Sequence, residues 1–288
     1  MLESTPYLYI GSENGECMNK DLKKIAISGQ PISNKNKDIT YSIVKLLEQE
    51  NKIIYMEEIV AESDKKFTKY SASNKEIKTN CDLLISIGGD GTMLRTAKKF
   101  GLCGIPILGI NLGSLGFLTD IAPENIQESL ISILKGKFTL DKRFFLKTEM
   151  NSKILKHKAL NEIVLHSGAV AKMIEFDVFV DNSFVYKQRS DGLIVFTSTG
   201  STAYALSGGG PLVHPDLNVI GIMPMFPHSL NTTPILIDDS KKVKIILTKI
   251  SSNQDSELSF DGQNNLIVEE GFNIVISRSK ESLSLVHP

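Results

Sequence analysis

The chain has 288 residues, of which 41% are hydrophobic and 23% charged, a composition that is ordinary for a soluble globular protein. Its net charge of -1 and the lack of a long basic block exclude a general electrostatic grip on nucleic acid or anionic lipid. Cys17, Cys81 and Cys103 have no CxxC or metal-ligand spacing, which predicts reduced thiols. With neither a signal-peptide pattern nor a membrane-length apolar run, we expect a cytoplasmic protein.

Residues 21–141 are predicted to form an α/β domain. Residues 1–20 show no sustained period and form an extension without an assigned function, although residues 7–10 could add an edge strand. Apolar runs then predict strands at residues 24–28, 53–56, 82–87 and 106–110. Helical patterns at residues 39–47 and 93–100, and between Pro123 and Gly136, alternate with these strands. Such alternation predicts a mainly parallel sheet with ligand loops at the carboxyl ends of its strands.

Residues 142–288 are predicted to form a mainly β domain, with a sandwich as the expected architecture. Apolar residues alternate along 174–180, and Asp181-Asn182-Ser183 then predicts a hairpin. Further short strands are predicted at residues 243–247, 266–268, 273–277 and 283–286. Only residues 201–207 have a helical pattern in this half.

The sharpest chemical signal is Gly88-Gly89-Asp90-Gly91-Thr92, which directly follows a buried strand. Glycines there let backbone N–H groups approach an anion, and the helix that follows adds a partly positive N-terminus. An acid within such a loop would repel phosphate unless it held a metal or accepted a proton during transfer. The simpler alternative is a tight turn in which Asp90 caps the helix, but three glycines favour a functional loop.

The chain contains neither the P-loop pattern nor the Rossmann fingerprint. The GGDGT sequence is shared by phosphofructokinases, diacylglycerol and sphingosine kinases, and NAD kinases. Further stretches make the chain resemble the NAD kinases in particular, and this resemblance spans nearly everything from Lys24 to Pro288. These stretches are GINLGSLGFLTD at residues 109–120, ALNEIVL at 159–165, RSDGLIVFTSTGSTAYALS at 189–207, GGGPL at 208–212, PHSL at 227–230, DGQ at 261–263 and LVHP at 285–288.

The resemblance implies transfer of the γ-phosphoryl group of ATP to the 2′-hydroxyl of the adenosine ribose of NAD. It implies that Asp90 is the catalytic base. It also implies a dinucleotide site that contains Asp90, Gly91, Arg95, Asn161, Glu162, Lys172, Arg189, Asp191, Thr202, Ala203, Tyr204, Ala205, Leu206, Ser207 and Gln263. Within this set, Arg95 would reach phosphate, and Lys172, Arg189 and Asp191 would line the site and could serve a neighbouring subunit. A Mg²⁺ or Mn²⁺ ion would bridge the ATP phosphates, and a homodimer or homotetramer is expected.

Each of these residues also has a plainer interpretation. Asn161 and Glu162 lie between apolar residues, where buried polar groups need partners that a ligand or a neighbouring strand could supply. Ser201 and Thr202 could cap a helix, with Tyr204 as a core aromatic. His228 is typical of a loop histidine and is at most a possible site residue. Arg95 and Lys172 could be solvated surface charges.

One position departs from the family pattern: Ser198 stands where these enzymes usually have proline, which puts the rigidity of this loop in doubt. Three other functions share part of the pattern. A lipid kinase would leave TSTGSTAYALS unexplained, and a sugar-phosphate kinase has no support beyond GGDGT. A dinucleotide-binding sensor without activity is disfavoured by the intact Asp90.

Overall fold

The N-terminal part of the fold is an α/β domain. The computed structural model describes residues 22–113, 116–119, 121–168, 173–228, 233–250 and 256–288. Its elements, in chain order, are β1 (Lys24–Gly29), α1 (Lys37–Gln49), β2 (Ile53–Glu57), α2 (Glu58–Ala61), β3 (Ser71–Ala72), α3 (Asn74–Asn80), β4 (Leu83–Ile87), α4 (Asp90–Phe100), β5 (Ile107–Ile110) and α5 (Ile126–Leu134). Among the described helices, none is long and apolar enough to cross a membrane.

The central strands of this domain are parallel and lie in the order β5-β4-β1-β2-β3. Strands β4 and β5 are buried along their whole length, because helices cover both faces of the sheet. On one face, α1 and α5 pack with Ile43, Leu47 and Leu130 in the core. On the other face, Met93 and Phe100 of α4 pack with Ile77 of α3. The four predicted strands and three predicted helical segments of this half are confirmed, with ends shifted by one to three residues.

The C-terminal part is mainly β and contains one short helix, α6 (Tyr204–Ser207). Its strands are β6 (Thr139–Met150), β7 (Lys153–Ala159), β8 (Glu162–His166), β9 (Ile174–Val180), β10 (Ser183–Ser190), β11 (Gly192–Thr197), β12 (Val219–Met225), β13 (Ile235–Asp238), β14 (Val243–Ile250), β15 (Ser256–Phe260), β16 (Asn264–Val268) and β17 (Asn273–His287). An antiparallel sheet in the order β13-β12-β11-β8-β15-β16 packs its inner face against β6, β9, β14 and β17 of the larger sheet. The predicted sandwich and the predicted β9–β10 hairpin are therefore confirmed.

Strand β17 connects the two parts of the fold. It pairs antiparallel with β6 and β14, and near its end Leu285 pairs in parallel with Ile107 of β5. The larger sheet thus runs without a break from the α/β part into the sandwich. The expectation of two separate strands at residues 273–277 and 283–286 is wrong, because they form one strand whose pairing with β6 is irregular between Arg278 and Ser282.

The predicted domain boundary after residue 141 falls inside β6, which begins at Thr139, and the division of the chain at that point stays a prediction. The extension at residues 1–20, with its possible edge strand, lies outside the described residues.

Candidate active site

The GGDGT loop is a tight turn from β4 into α4. Gly88 has a φ of 152°, and a side chain there would overlap Thr92, so the turn requires glycine at this position. Gly89 caps the helix through its carbonyl, which accepts from the N–H groups of Thr92 and Met93 at 2.9 and 3.0 Å. Asp90 is the first helical residue, and no side chain forms the cap. The interpretation of Asp90 as a helix cap is therefore wrong.

The carboxylate of Asp90 instead binds the second glycine-rich loop. Its two oxygens accept from the backbone N–H groups of Phe117 and Leu118 at 2.9 and 3.1 Å. The hydroxyl of Thr119 lies 3.4 Å from Oδ1 and is itself held by the amide of Asn111 at 3.0 Å. A side chain at Gly116 would overlap the Asp90 carboxylate. Asp90 thus connects the GGDGT loop to the described residues of the GINLGSLGFLTD stretch through hydrogen bonds.

Asn161 and Glu162 are held by the carboxylate of Asp261. This carboxylate accepts from three consecutive N–H groups, those of Leu160, Asn161 and Glu162, at 3.0, 2.8 and 3.1 Å. Asp261 lies in the turn between β15 and β16, with a φ of 49°. Gly262 follows with a φ of 63°, as is typical of an Asp-Gly turn. A buried acid 100 residues away along the chain therefore determines the conformation of the Asn161–Glu162 segment.

The side chain of Glu162 is almost completely enclosed, since only 6% of the residue is exposed. Burial raises the pKa of Glu162 to about 7, and the negative charge of Asp261 acts in the same direction. A hydrogen bond from the Tyr204 N–H and the charge of Lys98 oppose this increase. Buried carboxylate oxygens usually have a hydrogen-bond partner, yet Oε2 of Glu162 has none among the described residues. A ligand hydroxyl could fill this position.

The TSTGST segment packs directly on Asn161. Its first residue, Thr197, donates from its hydroxyl to Leu160 O at 2.6 Å and accepts from the Gly200 N–H at 3.0 Å. A side chain at Gly200 would overlap the carbonyl of Asn161, so the close approach requires glycine. Ser198 has a φ of -53°, close to the value that proline imposes, and its hydroxyl donates to Leu217 O. Serine therefore restrains this turn in place of the usual proline.

Residues Thr202 to Ser207 form the end of a 3-10 turn (Thr199–Thr202) and the helix α6. Tyr204 is 46% exposed, so its interpretation as a core aromatic is wrong. No side chain caps α6, and the Ser201 hydroxyl instead donates to Ser198 O at 2.7 Å. Ala205 is buried, whereas Leu206 and Ser207 face solvent. Gln263 is also exposed, beside Asp261 in the turn that holds Asn161.

Arg95 belongs to a cluster of charges around a buried acid that the sequence analysis did not identify. Glu57 is 2% exposed and accepts from Ser28, Arg95 and Lys99 at 2.5, 3.2 and 2.5 Å. Burial alone would raise the pKa of Glu57, but the hydrogen bonds from Lys99 and Ser28 and the two positive charges hold it below its usual value. Arg95 also donates to Gly29 O at the end of β1. Its guanidinium is thus fixed near the carboxyl ends of the parallel strands.

Arg189 and Asp191 lie at the other end of the sandwich from Glu162. In the antiparallel pairing of β8 with β11, Glu162 is opposite Phe196, and Asp191 directly precedes β11. Five residues of a strand span about 15 Å. His228 lies with them, since its N–H donates to Arg189 O at 3.1 Å. The fold therefore does not place Arg189, Asp191 or His228 beside Asn161 and Glu162, and Lys172 lies outside the described residues.

Substitutions at two glycines of the loop at residues 111–119 test the contact with Asp90. Gly116→Ala should lower the free energy of unfolding by about 1–3 kcal/mol, because the new methyl group displaces a carboxylate that accepts two backbone hydrogen bonds. Gly113→Ala is the matched control: no described atom lies within 4 Å of the added carbon, and a change of less than about 0.5 kcal/mol is expected. Urea unfolding of both variants measures the difference, and equal stabilities would contradict the contact.

Comparison with known proteins matches both parts of the chain to one family. Residues 25–138 match the ATP-NAD kinase N-terminal domain, and residues 160–288 match the ATP-NAD kinase C-terminal domain. An NAD kinase from Pseudomonas entomophila is 39% identical over 272 residues, which cover 93% of this chain and 92% of the relative. An NAD kinase from Chromohalobacter salexigens is 44% identical over 220 residues, which cover 75% of each chain.

Two solved structures have the same fold. A yeast NADH kinase complexed with NADH has a TM-score of 0.85 at 22% identity, with 97% of this chain and 88% of that chain covered. An NAD kinase from Archaeoglobus fulgidus in complex with ATP has a TM-score of 0.72 at 28% identity, with 91% and 92% covered. The two matched domains and the identity to the curated relatives show that the chain belongs to the ATP-NAD kinase family.

Proposed function

We propose that this protein is an NAD kinase, which transfers the γ-phosphoryl group of ATP to the 2′-hydroxyl of the adenosine ribose of NAD and releases NADP and ADP. The observation that carries the proposal is the joining of both kinase motifs at one acid, Asp90, at the carboxyl edge of the parallel sheet. The curated NAD kinases named above support the same activity. An assay with ATP, Mg²⁺ and NAD, read out as NADP, tests it directly, and absence of NADP would overturn it.

Asp90 is proposed as the base that accepts the proton of the attacking 2′-hydroxyl. An ionised carboxylate has about four lone-pair positions, and two backbone N–H groups and the Thr119 hydroxyl occupy three of them. Among the contacts of the described residues, one position is left for the ribose hydroxyl. The same N–H bonds hold the carboxylate in a fixed orientation, as proton transfer to a positioned base requires.

The dinucleotide would bind next to the Asn161–Glu162 segment. Glu162 Oε2, which has no partner among the described residues, is suited to accept from a ribose hydroxyl. The exposed face of Tyr204 and the other residues from Thr202 to Ser207 would contact the adenosine portion. Gly91, exposed beside Asp90, and Gln263, exposed beside Asp261, would complete this surface, with Arg95 directed towards phosphate.

Replacing Asp90 with asparagine should lower kcat by roughly 10²- to 10⁴-fold, because the amide cannot accept the proton. NAD affinity should persist, since the Asn161 and Tyr204 regions are unchanged. Asp38→Asn, which removes the same charge from the first turn of α1, is the matched control and should keep kcat within about twofold. Turnover of a folded Asp90→Asn protein that is close to wild type would exclude the base. Gly116→Ala, which disturbs the same loop but keeps the carboxylate, separates loss of the base from loop displacement.

A divalent cation, Mg²⁺ or Mn²⁺, is proposed as the cofactor. When bound, it neutralises charge on the ATP phosphates. In the described part of the chain no three His, Cys, Asp or Glu side chains form a group that could hold an ion, which suits a cation that phosphate oxygens and water largely coordinate. The positive charges of Arg95 and Lys99 are also partly neutralised, because both side chains form ion pairs with Glu57.

Excess EDTA should therefore abolish NADP formation, and added Mg²⁺ or Mn²⁺ should restore it. An equal concentration of Na⁺ serves as the control for ionic strength and should restore nothing. Turnover that continues at its full rate in EDTA would contradict the metal requirement.

A homodimer or homotetramer with shared sites is proposed because Arg189 and Asp191 lie about 15 Å along the sheet from Glu162. These residues, and Lys172, would complete the site of a neighbouring subunit. Mixing subunits tests the sharing. If each site takes Asp90 from one protomer and Asp191 from another, Asp90→Asn and Asp191→Asn proteins should regain about a quarter of wild-type activity after co-refolding as dimers. Absence of any recovery from a mixed oligomer, or full activity of a monomer, would overturn the proposal.

A further inference from the structure

Helix α4 contacts a distant part of the chain through Lys98 as well as through Asp90. The ammonium group of Lys98 donates to Phe260 O at 2.9 Å and lies 3.4 Å from Oδ2 of Asp261. The side chain of Lys98 is 14% exposed and that of Asp261 is fully buried. Lys98 follows Asp90 by eight residues, about 12 Å along the helix. It therefore links the helix that begins at Asp90 to the turn that holds Asn161 and Glu162.

Lys98 supplies a positive charge beside two buried acids, Asp261 and Glu162. Asp261 and Glu162 are both buried carboxylates, and the negative charge of Asp261 raises the pKa of Glu162. Asp261 also accepts three backbone N–H groups, which an ionised carboxylate does better than a neutral one. Lys98 is the cation that lowers the pKa of Glu162. Its removal would take away the positive charge that lies 3.4 Å from Asp261 Oδ2 and lowers the pKa of Glu162.

Among the described residues that pair with Glu162 or hydrogen-bond to its side chain, none carries a positive charge. On β11 its pairing partner is Phe196, which carries no charge. From α6 it receives the N–H of Tyr204. On β7, the ring of His157 packs against the ring of Phe260, with 5.8 Å between the ring centroids. Phe260 directly precedes Asp261 in the chain.

We propose that Lys98 is a positioning residue that docks helix α4 on the turn after β15 by pairing with Asp261, and that it thereby holds the Asn161–Glu162 segment in place for the dinucleotide and supplies a positive charge that acts on the Glu162 carboxylate. The proposal rests on the proposed function for its kinetic consequence, but not for its structural basis. Lys98 acts through Asp261 and Glu162 and is not a catalytic residue. It also keeps the Asp90 end of α4 in register with the Asn161–Glu162 segment.

Lys98→Gln tests the charge, because glutamine can still donate to Phe260 O. The positive charge of Lys98 is one of the two effects that lower the pKa of Glu162, so the titration midpoint of Glu162 should rise above its wild-type value of about 7. At pH 7 a smaller fraction of Glu162 would then be ionised than in the wild type. We expect kcat/KM for NAD to fall at pH 7 and to return towards the wild-type value at pH 9, where Glu162 is ionised in both proteins. A purely structural role would lower activity equally at both pH values.

The titration of Glu162 can be followed directly by NMR of protein labelled with ¹³C at the glutamate carboxyls, with Glu162→Gln to assign the signal. Lys98→Arg should keep the wild-type midpoint. Lys99→Met is the matched control, since it removes a charge from the same helix but from the Glu57 side, and it should not move the midpoint. Lys98→Met serves if the glutamine variant does not fold, and the same shift is expected.

An unchanged Glu162 midpoint in folded Lys98→Gln or Lys98→Met protein would overturn the proposal, even if the wild type makes NADP. Conversely, a wild type that makes no NADP defeats the proposed function, while the NMR titration still decides the role of Lys98. A midpoint that rises in the neutral variants and returns in Lys98→Arg, together with the pH-dependent loss of kcat/KM, is the expected result.

Discussion

Three consecutive N–H groups, from Leu160 to Glu162, donate to one buried carboxylate, that of Asp261, and the candidate site depends on this arrangement. A carboxylate bound in this way is well stabilised, whereas three unpaired buried N–H groups would cost several kcal/mol. The arrangement fixes the backbone at Asn161. The TSTGST turn then packs on that backbone at Gly200, and α6 follows from the turn.

Asp90 has the corresponding role in the α/β part, because its carboxylate organises the 116–119 loop as Asp261 organises residues 160–162. Both acids accept backbone N–H groups from a distant segment. The two arrangements meet along α4, which begins at Asp90 and contacts the Asp261 turn through Lys98. Strand β17, which crosses from the sandwich to β5, supports the same connection at the level of the sheet. The relative position of Asp90 and the Asn161–Glu162 segment thus has two independent supports.

Much of the fold could be predicted because hydrophobic periodicity is a local property. The strands β1, β2, β4 and β5 are continuous apolar runs, since helices bury both of their faces. The sandwich strands were harder to predict: β7, for example, has the sequence KILKHKA and is largely polar, and its pairing with β6 decides its conformation. The prediction divides β17 into two strands because polar residues lie between its two apolar segments. In the structure, both segments pair with the neighbouring strand β6.

The sequence alone predicts the α/β and mainly β halves, the glycine turn before α4 and, through the resemblance, the family and the candidate site residues. The folded chain adds that Asp90 binds a loop rather than a helix end, that Arg95 pairs with Glu57, and that Lys98 reaches Asp261. Glycine turns and apolar periods act within a few residues, whereas the effect of an ion pair or a buried acid depends on partners 27 to 163 residues away along the chain.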